Sequence, residues 1–177
     1  MTIQIITADK DSNAAQIREL FLEYLQWVNA KVNEEFGINF NTEAIVDPDM
    51  QNLAKFMPPN GRILLCIVED HLSGIACLKY LEPGIGEIKR MYVRPESRKS
   101  GLGRAMINRL VAEAIQIGYE RIRLDSARFM EAAHQLYRTT GFSEIAAYKG
   151  SEIPKEWQAN WIFMEMDLRG MKAKDEA

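Results

Sequence analysis

The residues best suited to chemistry lie in one stretch, Arg94-Pro95-Glu96-Ser97-Arg98-Lys99-Ser100-Gly101-Leu102-Gly103-Arg104. A polar, glycine-containing loop that leads from an apolar strand into an amphipathic helix exposes unpaired N–H groups at the helix start. Those amides and the helix dipole favour an anion, phosphate above all. Gly101 and Gly103 carry no side chain where a pyrophosphate would need close main-chain approach. Arg98, Lys99 and Arg104 bracket them with positive charge. A helix entry with incidental glycines and solvated basic residues would use the same residue types. The spacing argues for more, because Pro95, Arg98 and both glycines fall in one frame between a good strand and a good helix.

Other chemistries fail on the same stretch or elsewhere. The dinucleotide pattern Gly-x-Gly-x-x-Gly has Met106 where its third glycine belongs, and no acidic ribose partner follows at the expected distance. No Gly-Lys-Ser/Thr is present for a Walker loop. With only His71 and His134, and Cys66 and Cys77 apart in apolar runs, no metal-ligand spacing exists. The two cysteines are expected as buried free thiols. No Gly-x-Ser-x-Gly elbow occurs, so nothing points to a covalent acyl-enzyme.

The elements that must position this loop follow from hydrophobic periodicity. Thr2 to Ala8 alternates as a first strand. Asp11 or Ser12 can cap a helix carrying Ile17, Leu20, Phe21, Tyr24, Leu25 and Val28 at three- and four-residue spacing. A second helix is predicted between Thr42 and Met57, stopped by Pro58-Pro59-Asn60-Gly61. Strands follow over Arg62 to Glu69, Ser73 to Leu81 and Glu87 to Val93, with a tight turn at Asp70-His71. After the loop, Met106, Ile107, Leu110, Val111, Ala114 and Ile115 mark a helix closed by Gly118. A strand over Arg121 to Ser126, a helix over Met130 to Thr140, and strands over Phe142 to Tyr148 and Trp161 to Leu168 complete the order. The class is α/β (α+β), a sheet with helices on its faces.

Composition bounds what the chain can be. Its 177 residues, 47% hydrophobic and 27% charged, suit one globular domain over 1–170, with 171–177 as a charged tail. A net charge of −3 gives no support to a nucleic-acid partner. The longest apolar run, Ile63 to Val68, is far short of the ~20 residues a membrane helix needs, and no signal peptide is visible. A cytoplasmic, membrane-free protein is expected.

Val93-Arg-Pro-Glu-Ser-Arg98-Lys-Ser-Gly101-Leu-Gly103 closely resembles the acyl-CoA pyrophosphate loop of the GCN5-related N-acetyltransferases, the GNAT superfamily, with its Arg/Gln-x-x-Gly-x-Gly/Ala core. Ala132-Ala133-His134-Gln135-Leu136-Tyr137-Arg138-Thr139-Thr140-Gly141-Phe142 resembles a second block of that family, and Glu87 to Val93 its fourth strand. Together they span about residues 61 to 148. The resemblance implies a mixed, mostly antiparallel sheet of about seven strands flanked by about four helices. Many members carry Asn near the start of the tyrosine-bearing helix, where this chain has Met130.

The resemblance further implies acetyl transfer from acetyl-CoA, without a metal, to a primary amine of a small molecule by direct attack in a ternary complex. A non-catalytic acyl-CoA-binding module, or an enzyme acting on a protein N-terminus or lysine, is the alternative. The pyrophosphate would lie on Arg98, Lys99, Ser100, Gly101, Leu102, Gly103 and Arg104. The thioester and pantetheine would meet the main chain of Met91, Tyr92 and Val93. Tyr137 is the candidate acid for the departing thiolate, since phenol, pKa ~10, can protonate a thiolate of conjugate-acid pKa ~8.5. Glu87 is the candidate base, acting directly or through water, with a solvated strand-end carboxylate as the competing interpretation. A bulge of the kind family members carry in this strand would change its facing. His134 is expected to be an exposed helix residue, and Asp125 and Ser126 to cap or turn a strand end. Tyr24, Trp27, Glu34, Glu35, Phe36, Asp47, Asp49, Trp157 and Trp161 would line the acceptor site. A homodimer is common among relatives.

Overall fold

In the computed structural model, which describes residues 2–171, the chain runs β1 (Ile3–Thr7), α1 (Ala14–Phe36), α2 (Glu43–Gln51), β2 (Arg62–Val68), β3 (His71–Glu82) and β4 (Ile85–Val93). It continues through α3 (Leu102–Ile117), β5 (Arg121–Ala127), α4 (Glu131–Thr140), β6 (Ser143–Ile145) and β7 (Trp161–Asp167). Short 3-10 segments lie at Leu53–Phe56, Pro95–Ser97 and Lys155–Asn160. The strands form one seven-stranded sheet in the order β1-β2-β3-β4-β5-β7-β6. Every neighbouring pair is antiparallel except β4 with β5. This is the mixed, mostly antiparallel α/β sheet expected from the resemblance.

Both faces of the sheet are covered, which explains the unbroken apolar runs of its central strands. Ile63 and Leu65 of β2 pack on one side with Ile17, Leu20, Phe21 and Leu25 of α1. Leu64 and Cys66 pack on the other with Met106, Ile107 and Leu110 of α3. Cys66 and Cys77 are free and buried, and fall in the cores on opposite faces, so the two thiols do not meet. Among the described residues, no helix is long and apolar enough to cross a membrane.

Several boundaries differ from the sequence expectation for local reasons. Asp9, rather than Asp11 or Ser12, accepts the N–H groups of Asp11 and Ser12 before α1. The helix expected over 42–57 stops at Gln51, where Asn52 leaves helical geometry and a 3-10 turn inserts Leu53 and Phe56 into the core. Glu69 and Asp70, both at positive φ, make the hairpin turn, so His71 already belongs to β3. The strand expected over 142–148 shrinks to Ser143–Ile145. Past it, the Tyr148 ring packs edge-on against Phe163 with centroids 5.7 Å apart, and its hydroxyl donates to Glu87. The charged tail expected over 171–177 lies, Met171 apart, outside the described residues.

Two departures from regular sheet geometry shape the site. Between the β3 pairings Ile75↔Tyr92 and Cys77↔Lys89, β4 holds one residue more than β3, and Arg90 sits at φ 53. This is a β-bulge, which changes the facing of everything after it. Tyr92 thereby joins the α1 core, whereas Met91 and Val93 pack toward α3. The second departure is a split. β4 and β5 pair only through Ile85↔Arg121, Gly86↔Ile122 and Glu87↔Arg123. Beyond Glu87 the strands part, and residues 88–93 keep a main-chain edge with no strand beside it.

Candidate active site

The split opens a cleft of about 590 Å³ whose walls include Ile88 to Val93 of β4, Leu124 to Ser126 of β5, the start of α3 and the face of α4 that bears Tyr137. At one end lies the loop singled out by its spacing. Gly101 sits at φ 86 and Lys99 at φ 63, both left-handed conformations. An added Cβ at Gly101 would meet nothing within 4 Å, so the glycine answers a backbone demand rather than a packing one. The first hydrogen bond within α3 runs from the Ala105 N–H to the Gly101 carbonyl. The N–H groups of Leu102, Gly103 and Arg104 therefore have no acceptor in the helix.

Most of the expected donor-binding residues come together here. Met91, Tyr92, Val93, Arg98, Lys99, Gly101, Gly103 and Arg104 all line the cleft. Leu102 and Ser100 do not: the Leu102 side chain is buried in the α3 core, and the Ser100 hydroxyl donates to the Ser97 carbonyl. Leu102 can contribute its N–H alone. The Arg98 guanidinium is engaged elsewhere in the cleft. It donates to the Val93 carbonyl at 2.9 Å and lies over the Trp27 ring, 4.6 Å from its centroid. Arg104 reaches the Thr139 hydroxyl at 2.9 Å.

Tyr137 forms part of the cleft wall midway, held by α4 and packed against Phe142 at 5.9 Å. It is buried, yet its hydroxyl has no hydrogen-bond partner among the described residues. Burial pushes its phenol well above the ordinary tyrosine range, so it stays protonated across neutral pH.

Glu87 does not reach the cleft. Only 1% exposed, it accepts the Tyr148 hydroxyl at 2.9 Å and pairs with Lys79 at 2.9 Å, at the last position where β4 and β5 still touch. The bulge comes after it and leaves its direction unchanged. Its carboxylate is neither solvated nor open to a substrate. His134, expected exposed, is buried, with Nε2 3.0 Å from the Ser126 hydroxyl. Burial lowers the His134 pKa below its ordinary value.

The opposite end of the cleft is built from side chains that are distant in sequence. Tyr24 of α1 lies there, and Trp27, which also carries Arg98 of the loop, meets Phe129 edge-on at 5.2 Å and so links the two ends. Burial pushes the Tyr24 phenol up to about 12. Of the nine residues expected at the acceptor site, these two alone line the cleft. Asp49 is buried on Arg90 and Lys55, Asp47 pairs with Arg18 and Glu34 with Lys31, both on the surface, and Trp157 stacks on Trp161.

What composition did not reveal is the charge cluster at this end. Lys89 donates to Asp125 at 2.9 Å and pairs with Glu152 at 3.0 Å. Arg90 donates to Asp49 at 3.0 Å and to Glu152 at 3.1 Å. Burial works against the Lys89 charge, but Asp125, Glu152 and Glu87 together hold its ammonium well above the ordinary lysine range. Burial likewise raises the Asp125 carboxyl, with Lys89 offsetting part of the rise. Asp125 was expected to cap or turn a strand end; instead it stands inside β5, as part of the cleft wall. Asp125 falls in register with Arg121 and Arg123 on the polar positions of an alternating strand, so the sequence holds no signal that sets it apart. Among the described residues, no group of three or more His, Cys, Asp or Glu could hold a metal ion.

A sheet split at its parallel pair, a glycine-shaped helix start facing the split and a buried phenol on its wall define an acyltransferase. The family model described as the acetyltransferase (GNAT) family matches residues 16–142, and the chain belongs to that family. It is thus an N-acetyltransferase by class. A relative described as an uncharacterised N-acetyltransferase of Schizosaccharomyces pombe is 30% identical over 152 residues, covering 84% of this chain and 85% of its own. An N-acetyltransferase of Thermoplasma acidophilum, solved in complex with coenzyme A, superposes with TM-score 0.69 at 18% identity, covering 94% of this chain and 99% of that one. A putative acetyltransferase of Salmonella typhimurium, solved with acetyl-CoA, gives TM-score 0.64 at 18% identity over 100% of both chains.

Proposed function

We propose that this protein transfers the acetyl group of acetyl-CoA to a primary amine of a small molecule, by direct attack in a ternary complex, with residues 1–170 acting as one domain. One observation carries the reading: a single cleft joins free N–H groups at the start of α3, an unpartnered Tyr137 hydroxyl and an acidic, aromatic far end. Coenzyme A and acetyl-CoA in the two structural neighbours support the same donor.

In this reading the pyrophosphate lies on the N–H groups of Gly101 to Arg104, with Lys99, Ser100 and Arg104 beside it. Arg98 leaves Trp27 to join them. The pantetheine amides pair with the open edge of β4 at Met91, Tyr92 and Val93, as an added strand would. That brings the thioester to the bulge, beside Tyr137. The amine attacks the thioester carbon, main-chain N–H groups of β4 stabilise the oxyanion, and the C–S bond breaks. Tyr137 donates its proton to the departing sulfur, and the proton on the newly acylated nitrogen restores the phenol.

The small acceptor is favoured by the loop between β6 and Lys155. Its Ser151 and Glu152 bind Asp125 and Lys89 of the cleft wall, which ties this loop against the acceptor end. A protein N-terminus or lysine would need this end open. The testing assay is release of free thiol from acetyl-CoA across a panel of amines. Turnover with small primary amines is expected. Thermal stabilisation by acetyl-CoA without turnover on any amine would mark the protein as a non-catalytic binding module instead.

A further inference from the structure

We propose that Asp125 is the catalytic base of the acceptor end: its carboxylate receives the ammonium of a cationic primary amine and takes the proton that must leave before the nitrogen attacks. The inference rests on the acetyl-transfer reading and deepens it, replacing Glu87, which the fold seals away from the cleft.

The reaction sets the requirement. An alkylammonium has a pKa of ~10.4, so it arrives charged and needs a carboxylate within reach of the thioester. Among the described residues that line the cleft, only Asp125 and Glu131 carry one. Glu131 is exposed, on the first turn of α4. The Asp125 side chain is only 7% exposed and stands just past Arg123, the last β5 residue paired with β4, so the opening begins at its position.

The two oxygens of Asp125 have different surroundings. Oδ2 accepts from Lys89 Nζ at 2.9 Å and from the Ser151 hydroxyl at 3.4 Å. Oδ1 accepts no hydrogen bond from any described residue, which leaves it for a donor in the cleft. Lys89 is then a positioning residue, fixing one oxygen so that the other faces the substrate. The charged and titratable groups around Asp125 are Lys89 and Glu87 from β4, Tyr24 from α1, Tyr137 from α4, and Tyr148 and Glu152 from the loop after β6, with Arg90 one step out on Glu152. Burial raises the carboxyl above the ordinary aspartate value while Lys89 restrains the rise, which makes the carboxylate a better proton acceptor.

The proton balance closes. One N–H bond of the ammonium breaks and an O–H bond forms on Asp125. The free amine attacks and Tyr137 protonates the leaving thiolate. Asp125 then loses its proton to water, the single proton that acetylation of an ammonium must release.

The test compares Asp125→Asn with the unmodified protein on two acceptors: the best alkyl amine of the panel, charged at neutral pH, and methoxyamine, which is uncharged there. With acetyl-CoA binding retained by calorimetry, kcat/KM for the alkyl amine should fall about 100-fold or more, and for methoxyamine less than about tenfold. Equal losses on both acceptors, or an unchanged rate with the alkyl amine, would overturn the assignment. Should the variant not fold, the unmodified protein decides. Its kcat/KM for the alkyl amine should be level through neutral pH and fall on the acid side as Asp125 protonates. A tenfold rise per pH unit up to the amine's own pKa would mean that only free amine from solution reacts, and would refute the base. If no amine is acetylated at all while acetyl-CoA binds, the acetyltransferase reading fails and takes this inference with it.

Discussion

At the α3 end of the cleft, the groups on offer are mainly main-chain N–H donors from one continuous stretch, residues 98–104. At the acceptor end they are side chains brought from separate segments: Tyr24 and Trp27 from α1, Lys89 and Arg90 from β4, Asp125 from β5, and Glu152 from the loop after β6. A pyrophosphate is an invariant target that any correctly shaped loop can hold, so its site needs glycines and a helix start more than particular side chains. An amine acceptor differs from enzyme to enzyme, and its site must be assembled from variable parts. The first end can therefore carry a family resemblance; the second carries the individuality of this chain.

Substitutions can separate the two ends. The largest effect is expected at the shared middle: Tyr137→Phe should lower kcat about 100-fold or more while leaving acetyl-CoA affinity within about threefold, as single-turnover kinetics and calorimetry would show. Unchanged turnover would return Tyr137 to the core. Next, replacing Arg98 and Gly101 together by Ala should remove the stabilisation that acetyl-CoA gives in a thermal melt, about 2.7 kcal/mol at a ligand concentration 100 times Kd. Persistence of that stabilisation would place the donor elsewhere.

Glu87→Gln sharpens the contrast from the acceptor side. Because Glu87 is sealed between Lys79 and Tyr148, its neutralisation should cost about 1–3 kcal/mol of stability and leave kcat/KM within about threefold. A catalytic loss comparable to that of Asp125→Asn would make Glu87 the base after all. The smallest effects come from the glycines taken singly. Gly101→Ala should cost about 1–2 kcal/mol in a denaturant melt, for strain at its left-handed backbone alone. At Gly103 an added Cβ would meet only the flexible end of Leu136, at 3.1 Å. Gly103→Ala should be nearly neutral, the gain in helix propensity offsetting that contact.

The same contrast explains what could be read from sequence. The loop, its glycines and both flanking elements are contiguous, so periodicity and spacing located them, and Tyr137 followed from the block ending at Gly141-Phe142. The acceptor end depended on events that no local pattern records. β7 inserts between β5 and β6. The β4 bulge at Arg90 puts Met91 and Val93 on the face of Ile88 and Tyr92 on the other, the reverse of strict alternation. Residues 146–154 curl back so that Tyr148, Ser151 and Glu152 reach β4 and β5, 26 to 62 residues earlier in the chain. Asp125 looked like a strand-end residue because the strand seemed to finish there. It is the separation of β5 from β4 that makes its carboxylate face a cleft.

The most direct test of the account is a crystal structure of the protein with coenzyme A. The pyrophosphate is expected on the N–H groups of Gly101 to Arg104, the pantetheine along Met91 to Val93, and the thiol within hydrogen-bonding reach of the Tyr137 hydroxyl, with Asp125 on the far side of that sulfur. Coenzyme A bound outside the β4–β5 split, or with its thiol turned away from Tyr137, would contradict it.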